Sequence, residues 1–280
     1  NGAAGVVAKD VYERLGCNVI ELHGEPDGSF PNHHPDPSKL ENMEDLIKSV
    51  KENKCSVGLA FDGDADRLGV ISPIGEMIFP DRQMIMFSRQ VIQSSPNAKI
   101  VFDVKCSKLL SDEIKKLKGK PLICKTGHTF IKQKIRETDA LLGGEMSGHI
   151  FFNDRWPGFD DGIYAGARML EIIANSEQDD PFVSVPNMLS TPEINIPAAD
   201  EEKFQIVKTF IENSNFSDAK IVSIDGIRVE FEKGWGLLRP SNTSPCLVLR
   251  FEAETNDDLK KIKEIFYLGL KSIKPNINKF

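Results

Sequence analysis

Apolar positions recur along the chain in two alternating rhythms, one helical and one extended. Val6 to Leu15 carries the helical pattern, and Asn18 to Leu22 reads as a β-rich run. A loop rich in Pro, Gly and His, Gly24 to Pro37, leads to a second helix at about Glu41 to Glu52. The apolar run Val57 to Phe61 predicts a strand that stops at a group of aspartates. The rhythm restarts near Pro80, where Asp81 can cap a helix reaching about Gln93, and Lys99 to Phe102 is a strand. Further helices are predicted at Leu109 to Leu117 and Phe130 to Glu137, with strands at Leu122 to Cys124 and Ala140 to Leu142. Asp160 and Asp161 open a helix whose apolar face is Ile163, Ala167, Leu170 and Ile173.

Polar Asn175 to Asp180 and the proline-punctuated stretch to Pro197 read as a linker. Beyond it the pattern predicts a helix over Glu201 to Glu212, strands near Ile227 to Phe231 and Cys246 to Phe251, and a final helix from Asp257. Helices alternating with short apolar strands imply a parallel, helix-covered sheet, whereas the last segment has its strands in pairs. The expected fold class is α/β: two successive α/β mixed-sheet domains, 1–76 and 77–188, followed by a smaller α+β C-terminal domain, 189–280.

Composition narrows the function. A hydrophobic share of 40% and a charged share of 28% are ordinary for a soluble globular chain of 280 residues. A formal charge of −7 without clustered Lys and Arg argues against a nucleic-acid partner. No apolar run approaches a membrane span, so no membrane partner is expected. Cys17, Cys55, Cys106, Cys124 and Cys246 are odd in number and scattered, which reads as buried free thiols in a reducing cytosol and predicts a cytoplasmic protein.

The candidate chemistry begins with Asp62, Asp64 and Asp66 in AFDGDADRLGV. Their period of two would point all three carboxylates to one side of an extended segment. Three hard oxygen ligands suit Mg²⁺, which takes few carboxylates and completes its shell with water or phosphate. The plain alternative is an acidic surface turn, disfavoured by the adjacent apolar strand. A calcium loop of the EF-hand kind fails, because Arg67 and Pro73 stand where Gly and Glu belong. A dehalogenase-type phosphatase motif is weakened by Asp66, where Thr or Val is wanted. Arg67 either neutralises the aspartates or clamps a phosphoryl oxygen, and spacing leaves both open.

Three further stretches fit a phosphosugar. Gly144 to His149, GEMSGH, sets a carboxylate, a hydroxyl and an imidazole in a glycine-flanked loop that suits adjacent sugar hydroxyls. Arg239 to Ser244, RPSNTS, gathers guanidinium, hydroxyl and amide donors for a phosphate dianion, or is merely a polar hairpin turn. Lys125 to His128, KTGH, is an anion or sugar contact or a helix start, and Lys105 ends a strand where crevices form.

Taken together and in this order, DGDADR, KTGH, GEMSGH and RPSNTS resemble the α-D-phosphohexomutase superfamily, in particular its bacterial phosphomannomutase/phosphoglucomutase branch. NGAAG and FPNHHPDP resemble that family's second domain, so the likeness covers essentially the whole chain. It implies Asp62, Asp64 and Asp66 as Mg²⁺ ligands and Arg67 as an aid at the phosphoryl site. It implies Lys105 and His149 in proton transfer, and Gly127, His128, Glu145 and Ser147 at the sugar. Arg239, Ser241, Asn242 and Thr243 would grip the phosphate that is not being transferred.

The family's reaction interconverts hexose 1- and 6-phosphates through an active-site phosphoserine and a bisphosphorylated intermediate, with glucose 1,6-bisphosphate as activator. The resemblance lacks one part: the family's first domain, with its serine in a segment like T-A-S-H-N-P, and the first strand of its second domain have no counterpart here. The chain, which opens on Asn1 and Gly2, reads as a piece carrying domains two to four that turns over no substrate alone. Met146 in GEMSG resembles the dual mannose/glucose branch rather than the phosphoglucosamine mutases. Expected partners are a phosphorylated hexose and at most one weakly held second copy. The alternatives are a non-catalytic phosphosugar-binding protein, a phosphoglucosamine mutase and a phosphatase.

Overall fold

Short connections decide how the strands pair. In the computed structural model, which describes residues 1–216 and 219–280, the chain divides into two compact units. The first holds Asn1–Ile123 and Gly127–Pro186; the second holds Cys124–Thr126 and Asn187–Phe280. The first unit begins with α1 (Ala8–Arg14) and α2 (Glu44–Asn53), followed by β1 (Gly58–Phe61), β2 (Leu68–Ile71) and β3 (Met77–Ile78). These strands form an antiparallel sheet in sequential order. A parallel sheet was the expectation from the helix–strand alternation. Only residues 62–67 join β1 to β2, however, and a parallel pair needs a crossover of about a dozen residues or more.

Next come α3 (Pro80–Ser94), β4 (Lys99–Asp103), α4 (Lys108–Lys116), β5 (Lys120–Cys124), α5 (His128–Thr138), β6 (Leu142–Gly144), β7 (Ile150–Phe152) and α6 (Gly162–Ala174). Their sheet has the order β5-β4-β6-β7 and is mixed: β4 runs parallel to β6, and β6 antiparallel to β7. Here α5 supplies the long crossover and residues 145–149 the tight turn. Leu68, Val70 and Ile78 of the first sheet share one apolar core with α3, β4, β6, β7 and α6, which explains why both sheets fall within one unit. At the chain start, Ala4, Ala8 and Tyr12 pack with Ala65, and Tyr12 Oη donates to the Ile163 carbonyl at 2.9 Å.

The second unit contains β8 (Leu189–Ser190), β9 (Ile194–Pro197), α7 (Asp200–Asn213), β10 (Lys220–Val222), β11 (Ile227–Phe231), β12 (Gly234–Pro240), β13 (Cys246–Ala253) and α8 (Asn256–Ile273). β10 to β13 form an antiparallel meander, and both β8 and β9 pair with β13. Phe210 of α7, Phe266 of α8 and Phe251 of β13 meet in its core, with ring centroids 5.4 and 5.3 Å from Phe266. Gly236 makes room for them: a Cβ there would stand 2.5 Å from the Phe266 ring. Alternate β residues carry a polar stack, in which buried Arg228 lies 3.9 Å over Trp235 and Trp235 Nε1 donates to Glu252 at 2.8 Å.

Several expectations need correction. Asn18 to Leu22 is irregular, since no strand among the described residues pairs with it, and an extended run without a ladder is not a strand. The Ala140 strand starts two residues later, at Leu142. The supposed linker is structured: Phe182 and Val185 enter the first core, and the stretch supplies β8 and β9. Asp81 does not cap α3; its carboxylate accepts the Ser107 amide at 3.0 Å, near the start of α4. Only Cys106 and Cys124 are buried; the other three thiols are half-buried.

Phe266→Ala removes the ring on which Phe210 and Phe251 converge. It is expected to cost about 3–5 kcal/mol, read as a lower urea midpoint. A loss below about 1 kcal/mol would show that this ring does not organise the second unit's core.

Candidate active site

The aspartate-rich segment is a hairpin loop rather than the extended run that a period of two implies. Asp62 to Arg67 joins β1 to β2, and Ala65 adopts φ 67°, in the left-handed region. The turn, not strand alternation, brings carboxylate oxygens of Asp62, Asp64 and Asp66 within 4.8 Å of one another. Asp62 is buried, Asp66 half-buried and Asp64 exposed. Burial and the Asp62 and Asp64 charges push the Asp66 carboxyl up to about 6, against the opposing pull of His149. Three crowded carboxylates, one of them driven towards its neutral form, are the donor set that a hard divalent cation would relieve.

Arg67 resolves its ambiguity within this geometry. Its Nε donates to Asp62 Oδ2 at 2.6 Å and its amide to Asp62 Oδ1 at 3.1 Å, while Nη1 reaches Asp36 at 3.3 Å. Burial would lift the Asp36 carboxyl, but bonds from Ser38 and the Arg67 charge hold it below its usual range. The guanidinium here neutralises carboxylates.

Backbone contacts fix the loop's surroundings. The Ala3 amide donates to Gly63 O and the Gly162 amide to Ala65 O, each at 2.9 Å. Gly162 must be small, since a Cβ would stand 2.6 Å from Arg67 O. Leu68 N donates to Gly148 O at 3.1 Å, and Arg67 forms an antiparallel bridge with His149. The acidic loop and GEMSGH, eighty residues apart in sequence, are therefore joined edge to edge.

His149 occupies the junction. Its Nδ1 lies 3.1 Å from Asp160 Oδ2 and 3.4 Å from Asp66 Oδ1, and its ring stacks on His128 with centroids 5.5 Å apart. Burial disfavours the imidazolium, but the Asp160 carboxylate beside it and the charges of Asp66 and Glu145 prevail and raise the His149 pKa. Burial would likewise raise Asp160, yet the nearby His149 and the bond from Lys132 hold it well below its ordinary value. Lys132 Nζ reaches Asp160 Oδ1 at 3.0 Å.

Glu145 is almost fully buried and accepts the Gly127 amide at 2.5 Å. Burial and the Asp103 charge push its carboxyl up to about 7, offset in part by that amide, His149 and Lys105. Gly127, at φ 134°, begins α5 and sets His128 over His149. Lys105, also buried, follows β4 with its Nζ 4.0 Å from Asp103 Oδ2. Ser147 is half-buried in the same hairpin.

In the second unit, β12 ends in the RPSNTS turn. Arg239 and Ser241 are buried; Asn242 and Thr243 are exposed. Arg239 Nε donates to Asp225 Oδ2 at 2.9 Å, whereas its Nη2 is buried without a hydrogen-bond partner among the described residues. Ser241 Oγ accepts the amides of Thr243 and Ser244 at 3.3 and 3.1 Å, tightening the turn. Asp225 Oδ2 also accepts the Thr126 amide at 3.1 Å, and Asn242 Nδ2 donates to Thr126 O at 3.3 Å.

The structure thus assembles Asp62, Asp64, Asp66, Arg67, Lys105, Gly127, His128, Glu145, Ser147 and His149 in the first unit, and Arg239, Ser241, Asn242 and Thr243 in the second. Sequence reasoning missed Asp103, Lys132, Asp160 and Asp225. Asp160 carried a signal: of the pair Asp160 and Asp161, only Asp161 caps α6, accepting the Tyr164 amide at 2.8 Å.

Three family models match in succession: "Phosphoglucomutase/phosphomannomutase, alpha/beta/alpha domain II" over residues 1–75, "alpha/beta/alpha domain III" over 79–183 and "C-terminal domain" over 193–268. The phosphomannomutase/phosphoglucomutase of Pseudomonas syringae is 51% identical over 99% of this chain and 60% of its own length. The phosphoglucomutase of Neisseria gonorrhoeae is 48% identical over 97% of this chain and 60% of its own length. A crystal structure of a phosphoglucomutase/phosphomannomutase family protein from Burkholderia thailandensis superposes with a TM-score of 0.94 at 45% identity, covering 100% of this chain and 60% of that one. The chain therefore spans about three fifths of the length of these relatives.

The Glu145 environment makes stability depend on pH. Burial pushes its carboxyl up to about 7 in the folded chain, against an ordinary 4.5. Below 4.5 both states hold the proton; as pH rises towards 7 only the folded state does, so stability falls. Glu145→Gln abolishes this slope, and its advantage over the parent should grow by on the order of 3 kcal/mol between pH 5 and pH 8. Urea melts at both pH values test this, and an equal difference at the two would refute it.

Proposed function

Because the chain belongs to the phosphoglucomutase/phosphomannomutase family, we propose that it carries the metal-, sugar- and phosphate-binding parts of an enzyme interconverting hexose 1-phosphate and hexose 6-phosphate. The observation that supports this most is the junction of two loops: the Arg67–His149 bridge sets a three-carboxylate cradle beside a carboxylate, hydroxyl and imidazole suited to a sugar. The division at 1–76, 77–188 and 189–280 is part of the reading and is supported by three separate sheets.

In this reading Asp62, Asp64 and Asp66 hold Mg²⁺, which when bound offsets the negative charge of a phosphoryl group in transfer. Arg67 keeps Asp62 aimed into the cradle. Glu145 and Ser147 take adjacent ring hydroxyls, with Gly127 and His128 at the same edge. Glu145, pushed up to about 7, can hold or release a proton near neutral pH, with His149 and Lys105 as the other groups that would carry protons at the sugar. Arg239, whose Nη2 has no hydrogen-bond partner among the described residues, grips the stationary phosphate with Ser241, Asn242 and Thr243. Phosphoryl transfer is mostly positioning and charge stabilisation, which is what these parts provide.

The substrate proposed is mannose or glucose phosphate, with glucose 1,6-bisphosphate as activator and a monomer or weak dimer as the acting form in the cytoplasm. No helix among the described residues is long and apolar enough to cross a membrane.

Incubation of the chain with glucose 1-phosphate, Mg²⁺ and catalytic glucose 1,6-bisphosphate should give no glucose 6-phosphate. The chain joined to the remaining two fifths of the Pseudomonas syringae relative should give sustained product. Turnover by the chain alone would overturn its need for the further segment, and none from the joined protein would overturn the mutase reading. Separately, Asp225→Asn should raise the glucose 1-phosphate Kd about tenfold by releasing Arg239. Titration calorimetry checks this, and an unchanged Kd would remove Asp225 from the phosphate grip.

A further inference from the structure

Asp66, His149 and Asp160 each place a ligand atom within 4.8 Å of the others', and Asp66 Oδ1, His149 Nδ1 and Asp160 Oδ2 are buried with no hydrogen-bond partner among the described residues. A buried polar atom without a partner is costly, and three such atoms gathered together favour a positive charge among them. The Asp160 side chain is only 7% exposed, and Lys132 occupies its other oxygen, leaving Oδ2 directed at the imidazole. His128 Nδ1 stands 3.4 Å from the same oxygen and 3.3 Å from Lys132 Nζ, at the rim.

We propose that Asp66, His149 and Asp160 form a second divalent-cation site, selective for ions that accept an imidazole nitrogen, with Zn²⁺ the type case, and sharing Asp66 with the three-aspartate loop. Spacing favours this. At bond lengths of about 2.0–2.2 Å, adjacent ligand atoms stand roughly 2.8–3.6 Å apart across octahedral and tetrahedral geometries. The observed separations of 3.1 and 3.4 Å fall inside that window. The ligand sets also differ in kind: Asp62, Asp64 and Asp66 offer oxygen alone, as Mg²⁺ prefers, whereas a nitrogen with two carboxylates suits Zn²⁺. Zn²⁺ seated here occupies His149 Nδ1 and one oxygen of Asp66. If the mutase reading holds, it therefore opposes catalysis, but the site itself does not depend on that reading.

The test is Zn²⁺ binding by the whole chain in excess Mg²⁺, measured by competition with a chromophoric chelator, with no turnover required. One Zn²⁺ per chain is expected to resist displacement by Mg²⁺. Asp160→Asn and His149→Gln should each weaken it at least about tenfold, whereas Asp64→Asn should change it less than about twofold. Zn²⁺ binding that survives Asp160→Asn and His149→Gln, or that Asp64→Asn abolishes, would overturn the proposal. Crystals of the unaltered chain soaked in Zn²⁺ guard against misfolded variants. An anomalous peak among Asp66, His149 and Asp160 supports the site, and a peak only among Asp62, Asp64 and Asp66 refutes it.

Discussion

The guanidinium of Arg67 is the contact on which the candidate site depends. A loop that packs three carboxylates into six residues is electrostatically unstable by itself, and like charges a few ångströms apart are tolerated only with a countercharge. Arg67 supplies the part of it that the chain can provide. It binds Asp62 from both backbone and side chain and ties in Asp36 from a loop about thirty residues earlier. Its own backbone bridges to His149. One residue thus couples the acidic loop to the His-rich loop and to the GEMSGH hairpin. Asp64 and Asp66 remain under-compensated, which is the condition for binding a cation.

The shortness of the connections makes that coupling possible. A six-residue link forces β1 and β2 into an antiparallel hairpin, so the aspartates sit at a tip instead of along a strand. The five-residue link between β6 and β7 does the same for GEMSGH. Two hairpin tips can meet edge to edge because Gly148 brings no side chain against Leu68, and Gly162 likewise lets the start of α6 close on the acidic loop. The shared apolar core beneath makes this juxtaposition rigid, because Leu68 and Val70 pack in the same cluster as Ile150 and Phe152.

The second unit applies a similar device to a different end. Arg239 is oriented by Asp225 rather than left to solvent, and the orientation leaves Nη2 without a hydrogen-bond partner among the described residues. Gly226 permits the approach, since a Cβ there would stand 2.2 Å from Leu238 O and press on Arg239. A buried guanidinium with one nitrogen fixed by a carboxylate and another unpaired is prepared for an anion with little reorganisation.

The sequence by itself determined the alternation of helices and strands, and the motifs and their order, because these depend on local periodicity and composition. Asp62, Glu145, His149 and Arg239 stand out as candidates for that reason. Only the tertiary structure decided that Asp160 faces His149 while Asp161 caps α6, that Arg67 spends its charge on Asp62 and Asp36, and that Asp225 orients Arg239. Sheet orientation and the strand pairing of 187–197 were settled there too. Most of these facts join residues more than ten positions apart. Connection length, register and shared burial fix such pairs, and no local spacing along the chain encodes them.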